Sequence, residues 1–126
     1  FGGPMKAPRA LLFTGLAIAA CAAQAHHSFA MFDFEKTTEV EGVVREMRFA
    51  APHVWIYVTV KDPAKGEVDF GIEGAAPNTL LRAGWKRDSI RSGDVVKVKV
   101  HPLRDGAPGG SLVDITVNGK AVGGAR

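Results

Sequence analysis

With 126 residues, a formal charge of +3 and 46% hydrophobic side chains, the chain is sized for one small domain around one core. Its 16 basic residues barely exceed its 13 acids, so it lacks the electrostatic footprint of a nucleic-acid binder. One cysteine, Cys21, excludes a disulfide framework, and packing must supply the stability.

The first 25 residues read as an export leader. Phe1 to Pro4 look like non-native residues before a start at Met5. Lys6 and Arg9 form a short positive region, Leu11 to Ala23 is an apolar run, and Ala23-Gln24-Ala25 is a small-residue cleavage pattern. The run is too short to span a bilayer comfortably, and no second one follows. Cleavage after Ala25 makes His26 the new N-terminus and places the protein in the periplasm of a Gram-negative cell. A competing reading starts from Ile18-Ala19-Ala20-Cys21, which resembles a lipobox. Lipidation at Cys21 would anchor the chain to a membrane and leave His26 internal.

Residues 26–118 are expected to form the domain. Thr38 to Phe49 is a valine-rich strand, with Gly42 as its expected bulge or bend, and Ala50-Ala51-Pro52 ends it. In Val54 to Val60, Val54, Ile56, Val58 and Val60 make one face, and Trp55, Tyr57 and Thr59 the other. Lys61 to Gly66 is a hairpin loop, and Glu67 to Glu73 alternates again as a third strand. Pro77 to Ala83 carries Leu80 and Leu81 and stops at Gly84, the pattern of a short helix. Trp85 to Ile90 is a polar connector with two apolar anchors, and Ser92-Gly93-Asp94 turns the chain. Val96, Val98 and Val100 alternate with Lys97 and Lys99 in a fourth strand. After a loop from Leu103 to Gly110, Leu112 to Val117 is the fifth. Asn118-Gly119 is a turn signal, and residues 119–126 form a Gly/Ala-rich, flexible tail.

The order β-β-β-α-β-β is that of a mainly β, five-stranded OB-like barrel, with a half-open sandwich as the alternative. In such a barrel the loops after strands one and four flank the binding face. His53 opens the second strand and His101 ends the fourth, so both are expected at that pole. The first strand is expected to start at the opposite pole. The aromatic run Phe29, Phe32 and Phe34 would then pin the leading segment to the barrel wall as it crosses.

A processed His26 offers its α-amine and Nδ1 as a chelate. With His27, His53 and His101 it makes a nitrogen donor set suited to copper(II). The arrangement resembles the histidine brace of periplasmic copper carriers and copper monooxygenases. The plainer readings are a solvated His-His start, a His53 that caps a turn, and a surface His101. No zinc-type Cys or His spacing is present. A second constellation is Trp55, Tyr57, Lys97 and Lys99, an aromatic and basic face for an oligosaccharide or protein partner. The plain reading of that face is a solvated sheet with ordinary cross-strand pairs.

No nucleophile motif of the type G-x-S-x-G surrounds Ser28 or Ser111, and no acid–base carboxylate pair stands out. Gly106 to Gly110 follows a strand with no helix behind it, which is not a phosphate loop. The chain is therefore read as a binder rather than an enzyme. Metal carriage or sensing with copper as cofactor is the leading function, and a non-catalytic OB binding module the alternative.

Several blocks span nearly the whole mature chain: His26-His27-Ser28-Phe29-Ala30-Met31-Phe32-Asp33, Pro52-His53-Val54-Trp55, Ile72-Glu73-Gly74, Gly84-Trp85 with Arg87-Asp88-Ser89, and His101-Pro102-Leu103 leading to Gly109-Gly110-Ser111-Leu112. Together they resemble a family of small exported bacterial proteins known as a domain of unknown function. That resemblance implies a periplasmic single-domain protein and supplies no activity. Three of its blocks contain the histidines. The Cys21 lipobox is a departure from it.

Overall fold

The computed structural model describes residues 2–3 and 30–123. The chain divides into two compact units, Phe1–Ala30 and Met31–Arg126, and the second holds the fold. The expected leader with Cys21, together with His26 and His27, lies outside the described residues. Among the described residues no helix is long and apolar enough to cross a membrane.

From Thr38 on, the described residues form, in order, β1 (Thr38–Arg48), β2 (Trp55–Asp62), β3 (Gly66–Glu73), α1 (Pro77–Arg82), β4 (Val95–Pro102), β5 (Gly109–Val117) and β6 (Lys120–Ala121). The sheet runs β3-β2-β1-β4-β5-β6, and a parallel pairing of β3 with β5 closes it. Five strands thus form an OB-type barrel, and the half-open sandwich is excluded. Closure protects strand edges that a disulfide-free domain would otherwise leave open to association.

The alternation seen in the sequence sets the inner and outer faces. Ile56 and Val58 of β2, Ile72 of β3 and Val96, Val98 and Val100 of β4 are all buried. Lys97 and Lys99 point outward between them. Branched side chains pack well on a pleated surface, which is why these runs are strands.

Helix α1 begins at Pro77, whose fixed φ suits a first helical position. Its end is a Schellman motif: the Gly84 amide donates to Leu81 O and the Trp85 amide to Leu80 O, at 3.2 and 3.0 Å. Gly84 adopts φ +98°, so the glycine stop is conformational. The motif drives Trp85 and Leu80 into the core, where Ile90 joins them.

Four details depart from the sequence reading. The register shift in β1 falls between Val44 and Glu46, not at Gly42. Gly42 instead meets β2, where an added Cβ would collide with the Thr59 carbonyl. Strand β5 starts at Gly109, so Gly109, Gly110 and Ser111 pair with Gly71, Ile72 and Glu73. The expected tail contributes β6, whose Lys120 and Ala121 pair with Val117 and Thr116, and Val122 packs against the core. Finally, β1 starts beside the end of β4, with Thr38 opposite Val100, so it begins at the pole of His101 rather than the opposite one.

The β2–β3 hairpin is held by Asp62, which accepts the amides of Ala64 and Lys65 at 2.7 and 3.0 Å. Those two donors hold its carboxyl below the ordinary value of 3.8, the Ala64 amide contributing most. A depressed folded pKa means the contribution is present above 3.8 and disappears as pH falls through the folded value. The Ala64 and Lys65 amide resonances are expected to shift with the Asp62 carboxyl at a midpoint below 3.8. A midpoint at or above that value contradicts the arrangement.

Candidate functional site

His53 sits in the loop before β2. Its backbone neighbours are fixed by the Val54 amide on Ala75 O (3.0 Å) and the Gly74 amide on Val54 O (2.7 Å). Its Nδ1 lies 3.0 Å from Gly74 O and 3.5 Å from Oε1 of the buried Glu73. A carbonyl only accepts, so Nδ1 carries the proton and donates. The lone pair is then on Nε2, on a ring that is 45% exposed.

His101 is held in the same way from another direction. Its Nδ1 donates to Lys36 O at 2.7 Å, and the Phe34 ring meets the imidazole edge-on, with centroids 5.2 Å apart. The segment that carries these partners is anchored at the end of β4. Phe32 is buried and bridges to Leu103, Asp33 N donates to Pro102 O, and Arg104 N donates to Met31 O. Phe32 and Phe34 thus pack beside His101, while Phe29 of the same aromatic run lies outside the described residues.

The two rings are held by partners on different segments, His53 by Gly74 and Glu73 and His101 by Lys36 and Phe34. Register runs from His101 to Ser111 and then to Glu73, so the residue beside His53 stands two strand positions from His101. Among the described residues, no three His, Cys, Asp or Glu side chains gather as a metal cluster.

The second constellation is rearranged. Lys97 and Lys99 face Glu41 and Glu39 of β1, and Lys97 Nζ lies 3.8 Å from a Glu39 oxygen. β1 lies between β4 and β2, so these lysines are remote from the aromatic pair. Trp55 and Tyr57 do stand together, with ring centroids 6.2 Å apart and planes 14° from parallel. Their basic neighbours are Arg48 and Arg45, with guanidinium carbons 5.1 and 5.8 Å from the Tyr57 centroid.

Each arginine is already paired. Arg48 Nε donates to Glu46 at 2.8 Å, and Arg45 to Asp69 at 3.0 Å, while the Thr59 hydroxyl donates to Asp69 at 3.2 Å. The bond from Arg48 holds the Glu46 carboxyl below its usual value, and Glu46 in turn raises the guanidinium. The sequence did carry a signal for these arginines. Val40 and Val44 fall on even positions and Met47 and Phe49 on odd ones, with the exposed Val43 outside the pattern. That slip is the bulge: Arg45 is the extra residue, and beyond it Met47 opposes Ile56 while Glu46 and Arg48 oppose Tyr57 and Trp55.

Among known families, one family model matches residues 14–112 and is described as a family of unknown function (DUF6152). The match takes in all four histidines, the aromatic pair and the strands through the start of β5. No curated protein matches the chain.

Proposed function

The chain belongs to this family of unknown function, and from its own residues we propose that it is an exported, periplasmic metal-binding domain suited to copper(II). The observation that supports the reading is how the two described histidines are held. Nδ1 of each faces a backbone carbonyl, which can only accept, so a neutral ring in that setting presents Nε2 as its donor. Metal-binding imidazoles are oriented in this manner by outer partners. A processed His26 contributes amine and imidazole nitrogens, with His27 beside it. His26 is five positions from Met31, whose carbonyl is held at Arg104. An extended chain covers about 17 Å over that length, enough to bring it to one loop histidine. His53 or His101 completes the set, and the outer partners of either ring suit it to do so. The role is carriage or sensing.

Copper(II) titration of protein whose mass begins at His26, read by electron paramagnetic resonance, tests this. His26→Ala is expected to weaken binding by at least about 100-fold, more than loss of an outer partner does. Either His53→Ala or His101→Ala should follow it, which identifies the loop ligand. Nitrogen NMR of the metal-free protein should show both rings protonated at Nδ1. Binding that is micromolar or weaker and unchanged in His26→Ala rejects the reading, as does a lipid on Cys21.

A second reading is favoured by the parallel Trp55 and Tyr57 rings: an OB binding module that takes a partner on the β2–β3 face.

A further inference from the structure

The aromatic pair projects from alternate positions of β2 and extends toward β3 at Gly71. Atoms of both rings come within 3.7–3.9 Å of where a Gly71 side chain would begin. Both rings therefore lie over the same position of β3, at ordinary contact distance. The charged groups around the rings are paired: Arg45 with Asp69, Arg48 with Glu46, and Glu73, opposite Trp55 in register, with His53 3.5 Å away.

That pairing decides among ligand classes. A polyanion gains by neutralising basic side chains and releasing counterions, and here both arginines are already neutralised by neighbours. An extended peptide added as a strand needs a free edge, and β2 is paired on both sides, by β1 and β3. An uncharged ring with an apolar face and polar rim suits the surface. Its C–H face lies on the aromatic rings, and its hydroxyls meet arginine N–H donors and carboxylate acceptors held in fixed pairs. We propose that the Trp55–Tyr57 face binds an uncharged oligosaccharide. The proposal rests on the binding-module reading of this face and is independent of the metal.

The test uses intrinsic fluorescence of the full chain, because the two tryptophans differ in environment. Trp85 is 2% exposed in the core, so an added sugar reaches Trp55 alone. Chitohexaose is the uncharged probe and a hexameric polyuronate the charged one. Chitohexaose is expected to give a saturable change with half-saturation of roughly 0.1–1 mM. Its affinity should vary less than about twofold between about 0.05 and 0.5 M salt. Trp55→Ala should weaken it at least ~10-fold, equivalent to one aromatic contact. Arg48→Gln, which leaves both rings in place, should weaken it severalfold. Tighter, salt-sensitive binding of the polyuronate that also needs Trp55 would overturn the neutral ligand while leaving the face a binding module. No response to either probe at about 10 mM overturns both.

Discussion

Replacing Trp85 by alanine is expected to lower the unfolding free energy by about 3–5 kcal/mol, the usual cost of deleting a buried large aromatic side chain. The residue is 2% exposed and follows the helix stop at Gly84, so its place is fixed by backbone hydrogen bonds as well as by packing. It shares a cluster with Leu80 and Ile90. A domain of this size holds about 5–15 kcal/mol in total, so one substitution removes a large share. At about 4–8 °C per kcal/mol, the melting temperature should fall by roughly 12–40 °C. Calorimetry and urea unfolding measure this. A fall of less than about 5 °C would mean that Trp85 is not the anchor of the core.

Gly110→Ala is expected to cost about 3 kcal/mol, at the upper end of overpacking penalties, because the obstacle is backbone. An added Cβ would stand 2.5 Å from His101 O and 2.8 Å from two side-chain atoms of Val100. Gly110 lies in the middle of the β3–β5 closure, opposite Ile72 on one side and Pro102 on the other. Strain there is relieved only by separating β5 from a neighbour. Gly71→Ala supplies the control, since its Cβ would meet atoms no nearer than 3.7 Å, an ordinary contact. Unfolding by urea should therefore separate the two variants clearly. Loss of the cross-strand NMR contacts between β3 and β5 should accompany only the first. Equal stability of the two would contradict the closed barrel.

What could be read from the sequence followed from side-chain periodicity. The inner faces of β2 and β4 were legible because Val54-Ile56-Val58 and Val96-Val98-Val100 alternate without interruption, and each proves buried. The helix and its stop were legible because Pro77 and Gly84 act through fixed or permissive dihedrals. The closing strand was hidden because Gly109 and Gly110 have no side chains to show a period. They belong to a strand for a reason that lies in β3 and β4, where only a bare backbone fits. Arg45 and Arg48 were missed because a bulge reverses parity, and Glycine 42 was a more familiar bulge signal than two adjacent charged residues. His53 lies in the loop before β2, as expected, whereas His101 lies within β4 and pairs with Ser111, because β4 runs on through Pro102 against the glycine-rich start of β5.

The long β1 strand has a further consequence for how the chain assembles. Its first half is zipped to β4 and its second half to β2. Thr38 therefore waits for Val100, about half the chain length later, before its hydrogen bonds can be made. A polypeptide that is synthesised or threaded from its amino end holds only a three-strand meander until β4 follows. Such late, long-range pairing makes for slow folding.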